Sequence, residues 1–142
     1  MRYEVYIQEP KKVQKFCKKA IAEYEKRLSR YCKISCKFIK KDKEWETLLK
    51  KDTGMKKFLV KPGKANLTSE HLSRKIKDWD GSGIKGVQFF IPEYNEENPQ
   101  EKESIESLVL SDFTMSSNMT GMVLYEQIYR GYRILNNHPY HK

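Results

Sequence analysis

No stretch of this 142-residue chain is apolar for as long as a membrane span requires. The opening residues, Met1-Arg2-Tyr3-Glu4-Val5-Tyr6-Ile7, alternate like a strand and do not resemble a signal peptide. Both absences point to a cytoplasmic protein with no membrane partner. Cysteine is scarce as well. Cys17, Cys32 and Cys36 are an odd set with no Cys-x-x-Cys, and no histidine lies near Cys32 and Cys36. We read them as reduced thiols and expect no metal site, with Cys17 in the core and the other two on or beside a strand. Repeats, low-complexity tracts and interdomain linkers are also missing, which leaves one domain over residues 1–142. A chain of this length can bury most of its apolar surface on folding.

Positive charge is abundant. Lysine and arginine number 28 against 19 acidic residues, giving a net charge of +9. The lysines are bunched: Lys11, Lys12, Lys15, Lys18 and Lys19, then Lys37, Lys40, Lys41 and Lys43, then Lys50, Lys51, Lys56 and Lys57. Each lysine brought against a phosphate releases condensed counterions, so such an excess favours polyanions and makes binding salt-sensitive. Solvated helix faces that keep the chain soluble would account for the same charge.

Hydrophobic spacing orders the elements. Tyr3, Val5 and Ile7 give a first strand that Pro10 ends. Val13, Phe16, Cys17, Ala20, Ile21, Tyr24 and Leu28 recur at helical spacing. A second strand covers Ile34 to Ile39, and a short charged helix from Lys43 to about Lys51 buries Trp45, Leu48 and Leu49. Phe58 to Val60 is a third strand, stopped by Pro62-Gly63. Leu67 to Trp79 is a helix that Thr68 can cap, with Leu72, Ile76 and Trp79 facing inward. Val87 to Ile91 is apolar throughout, as a buried parallel strand should be. After the apolar run Leu108 to Leu110 and a polar loop to Asn118, a last helix runs from about Met119 to Leu135. Leu124, Tyr125, Ile128, Tyr132 and Leu135 occupy one of its faces, and Met119, Met122 and Val123 another, so it should pack on two sides. Strands alternating with helices imply an α/β fold, a mostly parallel sheet with helices on both faces.

Two motifs carry no function. Gly81-Ser82-Gly83-Ile84-Lys85-Gly86 matches the dinucleotide pattern G-x-G-x-x-G, but a helix precedes it and a strand follows, the reverse of what a pyrophosphate needs. It reads as a helix-to-strand loop. Asn66-Leu67-Thr68 and Asn118-Met119-Thr120 fit the glycosylation pattern, without meaning in a cytoplasmic chain.

Glu126-Gln127-Ile128-Tyr129-Arg130-Gly131-Tyr132-Arg133-Ile134, followed by His138-Pro139-Tyr140-His141-Lys142, resembles the C-terminus of the RlmH-type methyltransferases. Ala20 to Leu28, Lys61-Pro62-Gly63-Lys64, and Leu110-Ser111 with Thr114-Met115 resemble that family's other landmarks in order. The resemblance implies a SPOUT fold with a C-terminal trefoil knot. It also implies S-adenosyl-L-methionine (SAM) as cofactor, and methylation of N3 of a pseudouridine in large-subunit ribosomal RNA. The active form would be a homodimer in which the tail completes the partner's site. In that frame Leu59, Ile91, Pro92, Leu110, Ser111, Asp112, Phe113, Thr114 and Met115 line the cofactor pocket. His141 or His138 is the base, Tyr140 orients the target, and Arg130, Arg133 and Lys142 hold phosphates of the RNA or ribosome.

Three departures fall on this site. The family's Gly-Gly-x-x-Gly turn after the fourth strand is replaced by Ile91-Pro92-Glu93-Tyr94-Asn95-Glu96-Glu97-Asn98-Pro99, with no glycine. Ser116-Ser117 stands where Pro-His is usual, and Gln8-Glu9-Pro10 where a Val-Gly turn is usual. They leave open a second reading, a non-catalytic RNA- or ribosome-binding dimer of the same fold that has lost SAM.

Overall fold

The computed structural model describes residues 1–64, 68–93 and 105–137. Strands β1 (Arg2–Gln8), β2 (Lys33–Ile39), β3 (Lys56–Lys61), β4 (Val87–Ile91) and β5 (Glu106–Val109) alternate with helices α1 (Lys15–Leu28), α2 (Asp42–Lys50), α3 (Ser69–Gly81) and α4 (Ser117–Leu135). The strands form one sheet in the order β2-β1-β4-β3-β5, and every pairing is parallel. No helix among the described residues is long and apolar enough to cross a membrane. The expected knot depends on the paths of residues 94–104 and 138–142, which lie outside the described residues.

Alternation along the strands divides the core in two. Tyr3, Val5, Ile7, Phe58, Val60, Val87, Phe89 and Ile91 point to the face that α1, α3 and α4 cover. On the other face Leu59 and Phe90 pack with Ile39 and with Trp45 and Leu49 of α2. The Trp45 and Phe90 rings meet edge to face at 5.6 Å. Both faces are thus covered, and all five residues of β4 are buried, as its unbroken apolar run requires.

Helix α4 lies between α1 and α3, packed against both. Its stripe Leu124, Tyr125, Ile128 and Tyr132 is buried, while Met119, Met122 and Val123 are half-buried. The Tyr132 hydroxyl is 2.9 Å from that of Tyr3 on β1, and its ring stacks on Tyr31 at 5.3 Å. Tyr125 donates to Glu25 of α1 at 2.7 Å. Burial raises the phenols of Tyr3, Tyr125 and Tyr132 well above the ordinary tyrosine range, so these hydroxyls stay protonated.

Local chemistry sets the helix ends. Thr68 accepts from the His71 backbone at 3.1 Å, and the His71 ring accepts from the Thr68 backbone, a capping box that opens α3. Helix α4 starts at Ser117, two residues before the expected Met119, because Ser116 accepts from the Met119 N–H at 3.2 Å. Asn137, at φ 56°, closes it in the left-handed conformation. Phe16 departs from expectation: it belongs to the apolar pattern of α1 yet is 56 % exposed, since α1 buries only the line Cys17, Ile21 and Leu28. The three cysteines are free thiols, and burial pushes Cys32 up to about 11 and Cys36 up to about 12, so neither is a nucleophile at neutral pH.

The stretch Gly81 to Gly86 is a helix-to-strand loop, as its order predicts. A β-carbon on Gly86 would lie 2.3 Å from the Arg2 carbonyl oxygen, whereas one on Gly81 meets nothing within 4 Å. Gly86→Ala should therefore destabilise the fold by roughly 3 kcal/mol. Gly81→Ala should be neutral or stabilising by up to about 1 kcal/mol. The difference between their midpoints in guanidinium unfolding measures both effects.

Candidate functional site

Open parallel sheets bind ligands beyond the C-terminal ends of strands whose connections part in opposite directions. β1 runs on to β2 at one edge and β4 to β5 at the other, so the crevice falls between the adjacent strands β1 and β4. Around it lie the β1 exit at Gln8-Glu9, the β4 exit at Pro92-Glu93, the loop from Leu110 to Met115, and the start of α4. Glu9, Glu93, Thr114, Met115, Ser116 and Ser117 enclose a cavity of about 240 Å3 there.

Side chains of the β1 exit hold these parts together. Gln8, only 7 % exposed, accepts from the Glu93 backbone at 3.0 Å and donates to Asp42 of α2 at 3.3 Å. Glu9 accepts from Ser117 at 3.4 Å and from the Asn118 side-chain amide, and its second oxygen accepts from the Lys11 backbone at 3.1 Å. Asn118 is 2 % exposed, and its carbonyl oxygen has no hydrogen-bond partner among the described residues. The turn after β3 joins the same group through Gly63 N–H to the Ser111 carbonyl at 3.1 Å, and Ser111 Oγ donates to the Phe113 carbonyl at 2.7 Å.

The predicted cofactor residues divide accordingly. Thr114 and Met115 line the cavity. Ser111 and Leu110 are half-buried at its approach, while Asp112 and Phe113 are exposed, Phe113 by 68 %. Pro92 is half-buried beside the lining residue Glu93. Leu59 and Ile91 are each 1 % exposed in the core; Leu59 packs in the α2-side cluster and does not line this cavity. The predicted RNA contacts differ in their freedom. Arg130 is 2.6 Å from Glu126 in an ion pair, whereas the Arg133 guanidinium lies 5.9 Å from the Tyr129 ring. His138, Tyr140, His141 and Lys142 lie outside the described residues.

Sequence reasoning placed Glu9 and Glu93 at the site only as departures from the family pattern, without a partner for either, and missed Asn118 altogether. The available signal was the departures themselves, since Gln8-Glu9, Ser116-Ser117 and Pro92-Glu93 meet at one cavity.

This parallel sheet, with its strand exits gathered over a switch point, defines an open-sheet α/β protein, a class in which ligands sit at the C-terminal ends of the strands. Comparison with known proteins gives the particular kind. Residues 1–141 match the family model described as predicted SPOUT methyltransferase. The chain is 39 % identical over 144 residues to the ribosomal RNA large subunit methyltransferase H 1 of Thermoanaerobacter sp. strain X514, with the whole of both chains covered. It is 31 % identical over 150 residues to the ribosomal RNA large subunit methyltransferase H of Acetivibrio thermocellus, and 35 % over 148 to that of Clostridium botulinum strain Eklund 17B; each match covers 91 % of this chain and 92 % of the relative. The chain belongs to the SPOUT methyltransferase family.

Removing the Glu9 carboxylate leaves the Asn118 amide buried without its acceptor, which costs on the order of 1–3 kcal/mol. Glu9→Ala should destabilise the protein by about that amount, and Asn118→Ala should add little in the Glu9→Ala background. Denaturant unfolding of both single variants and the double variant measures the coupling; additive effects would show that the contact is inert.

Proposed function

We propose that this protein is a SAM-dependent methyltransferase of large-subunit ribosomal RNA in the cytoplasm, acting on N3 of a pseudouridine as a homodimer. The observation that carries this reading is the full-length match to methyltransferases of that name. The net charge of +9 suits a polyanionic substrate.

SAM would supply an electrophilic methyl group. The residues of the crevice suit its cationic end: Glu93 brings a carboxylate to the cavity beside Thr114, and Met115 adds an apolar wall. The loop Leu110, Ser111, Asp112, Phe113, Thr114 and Met115 would hold the adenosine largely through backbone groups, with Ile91 and Pro92 of the β4 exit behind it. A uracil-ring imide is largely protonated at neutral pH, so the acceptor needs a base. His141 or His138 fills that role, and Tyr140 orients the ring, from the residues that follow α4 in sequence. Arg133 and Lys142 meet RNA phosphates, with Arg130 positioned by Glu126. Met119, Met122 and Val123, half-buried on α4, and exposed Phe16 offer apolar surface for the second subunit.

The loss of glycine between Ile91 and Pro99 favours one other reading, an RNA-binding dimer without cofactor. Calorimetric titration of SAM separates the two. Micromolar affinity is expected, and absence of heat at millimolar SAM would leave the RNA-binding dimer. In a methyl-transfer assay on large ribosomal subunits, His141→Ala should reduce the rate by about 100-fold or more while leaving SAM affinity unchanged.

A further inference from the structure

At the opposite end of the sheet from the crevice, a second groove of about 400 Å3 opens on the α2-covered face. Its floor is a closed polar network. Glu4 accepts from Gln88 at 2.8 Å and from Tyr6 at 3.2 Å on one oxygen, and from Arg2 at 2.8 Å on the other. Gln88 is 2 % exposed, faces Glu4 across the β1–β4 register, and accepts from Thr53 at 3.5 Å. Burial alone would raise the Glu4 carboxyl, but the hydrogen bonds from Gln88 and Tyr6 and the charge of Arg2 outweigh it and hold it below its ordinary value. The groove's one carboxylate is therefore ionised and already matched within the protein.

Its walls carry the charge that remains. Lys51 follows α2 directly and Lys85 lies two residues before β4, and both are exposed. With Arg2 they set three cations against one carboxylate, a net charge of +2. The backbone that carries Lys51 and the stem of Lys85 are both held in place. Lys57 donates to the Leu49 carbonyl at 2.7 Å and also to the Lys51 carbonyl, fixing the end of α2. The Lys85 stem crosses the Gly54 turn so closely that a β-carbon there would stand 3.4 Å from its Cδ. The neighbouring hollow also holds lysines, Lys50, Lys56 and Lys57, but it carries two acids, Asp52 and Glu106; Lys56 pairs with Glu106 at 3.4 Å and Lys57 is bound to carbonyls.

We propose that this groove binds a phosphodiester of the RNA substrate, between Lys51 and Lys85, as a contact separate from the methyl-transfer end. The assignment rests on the RNA-acting reading above. Charge complementarity selects the occupant, because two exposed cations on the walls of a groove whose one acid is neutralised attract an anion, and the polyanion the family's relatives act on is RNA.

The test compares the full-length protein with Lys51→Glu/Lys85→Glu and with a control pair of exposed lysines on the helices of the other face, Lys26→Glu/Lys77→Glu. Binding of a short single-stranded ribo-oligonucleotide is followed by fluorescence anisotropy across a salt series and by amide NMR. The groove pair should weaken binding about 10-fold beyond the control. Lys51→Ala/Lys85→Ala should lower the slope of log affinity against log salt by about 1.4. In the wild type, Gly54 and Gln88 signals should shift with RNA, and SAM affinity should be equal in all variants. Equal loss in groove and control pairs would overturn the proposal, as would RNA shifts that avoid Gly54 and Gln88. Shifts caused by inorganic phosphate but not by RNA would also overturn it. Absence of any RNA binding by the wild type would remove the RNA-acting reading itself, a result distinct from binding that ignores Lys51 and Lys85.

Discussion

The packing of α4 into the trough between α1 and α3 is the constraint on which the arrangement of the site depends. Its depth comes from two glycines: β-carbons at Gly121 and Gly131 would lie 2.5 Å and 2.8 Å from the ends of Ile7 and Ile76. That closeness lets Tyr132 reach Tyr3 on β1 and Tyr125 reach Glu25 on α1. A helix fixed in this way has no freedom to slide along its axis. Its first turn is therefore set against Glu9, and its last turn ends at a fixed point, closed by Asn137.

The consequence for function is a division along the strands. The C-terminal ends of β1 and β4 carry the crevice, where parallel strands place variable loops on a rigid base. Gln8 and Glu9 occupy adjacent positions at the end of one strand, so their side chains act in different directions. Gln8 reaches the β4 exit and α2, and Glu9 reaches α4. Two consecutive residues thereby tie three elements to one strand. A turn of small residues could not do this, which gives the departure from Val-Gly a structural role whatever ligand is bound.

Much of the fold was legible from spacing. The periods of β1, α1, α3 and β4 placed those elements within a few residues, because one buried face dictates a simple pattern. Strand order was not legible, since β1 pairs with β4 across more than eighty residues and nothing local records that choice. Phe16 misled for a related reason: an apolar stripe gives the width of a hydrophobic face but not which part the neighbour covers. Leu59 shows the limit at the site. The resemblance makes it a ligand wall, but β3 runs on to Lys61 and the pleat turns the Leu59 side chain into the α2-side core beside Phe90 and Trp45. The contact between Glu9 and Asn118, 109 positions apart, is invisible until the sheet has brought the β1 exit under α4.

The three departures from the family pattern are then better understood as one change than as three. If each had arisen independently, they would be expected at unrelated places around the site. In the structure Gln8 binds the backbone of Glu93, Glu9 binds Ser117, and Glu9, Glu93, Ser116 and Ser117 share one cavity. Replacing glycines by Pro92 and Glu93 removes backbone freedom from the β4 exit, and the Gln8 amide supplies an acceptor for the N–H that remains there. Exchanging Pro-His for two serines puts hydroxyls at the head of α4, where Ser116 caps the helix and Ser117 meets Glu9. Two hydrogen bonds join the departures to one another, Gln8 to the Glu93 backbone and Glu9 to Ser117, so the three segments are coupled at one cavity and a change in one alters the polar partners of the next.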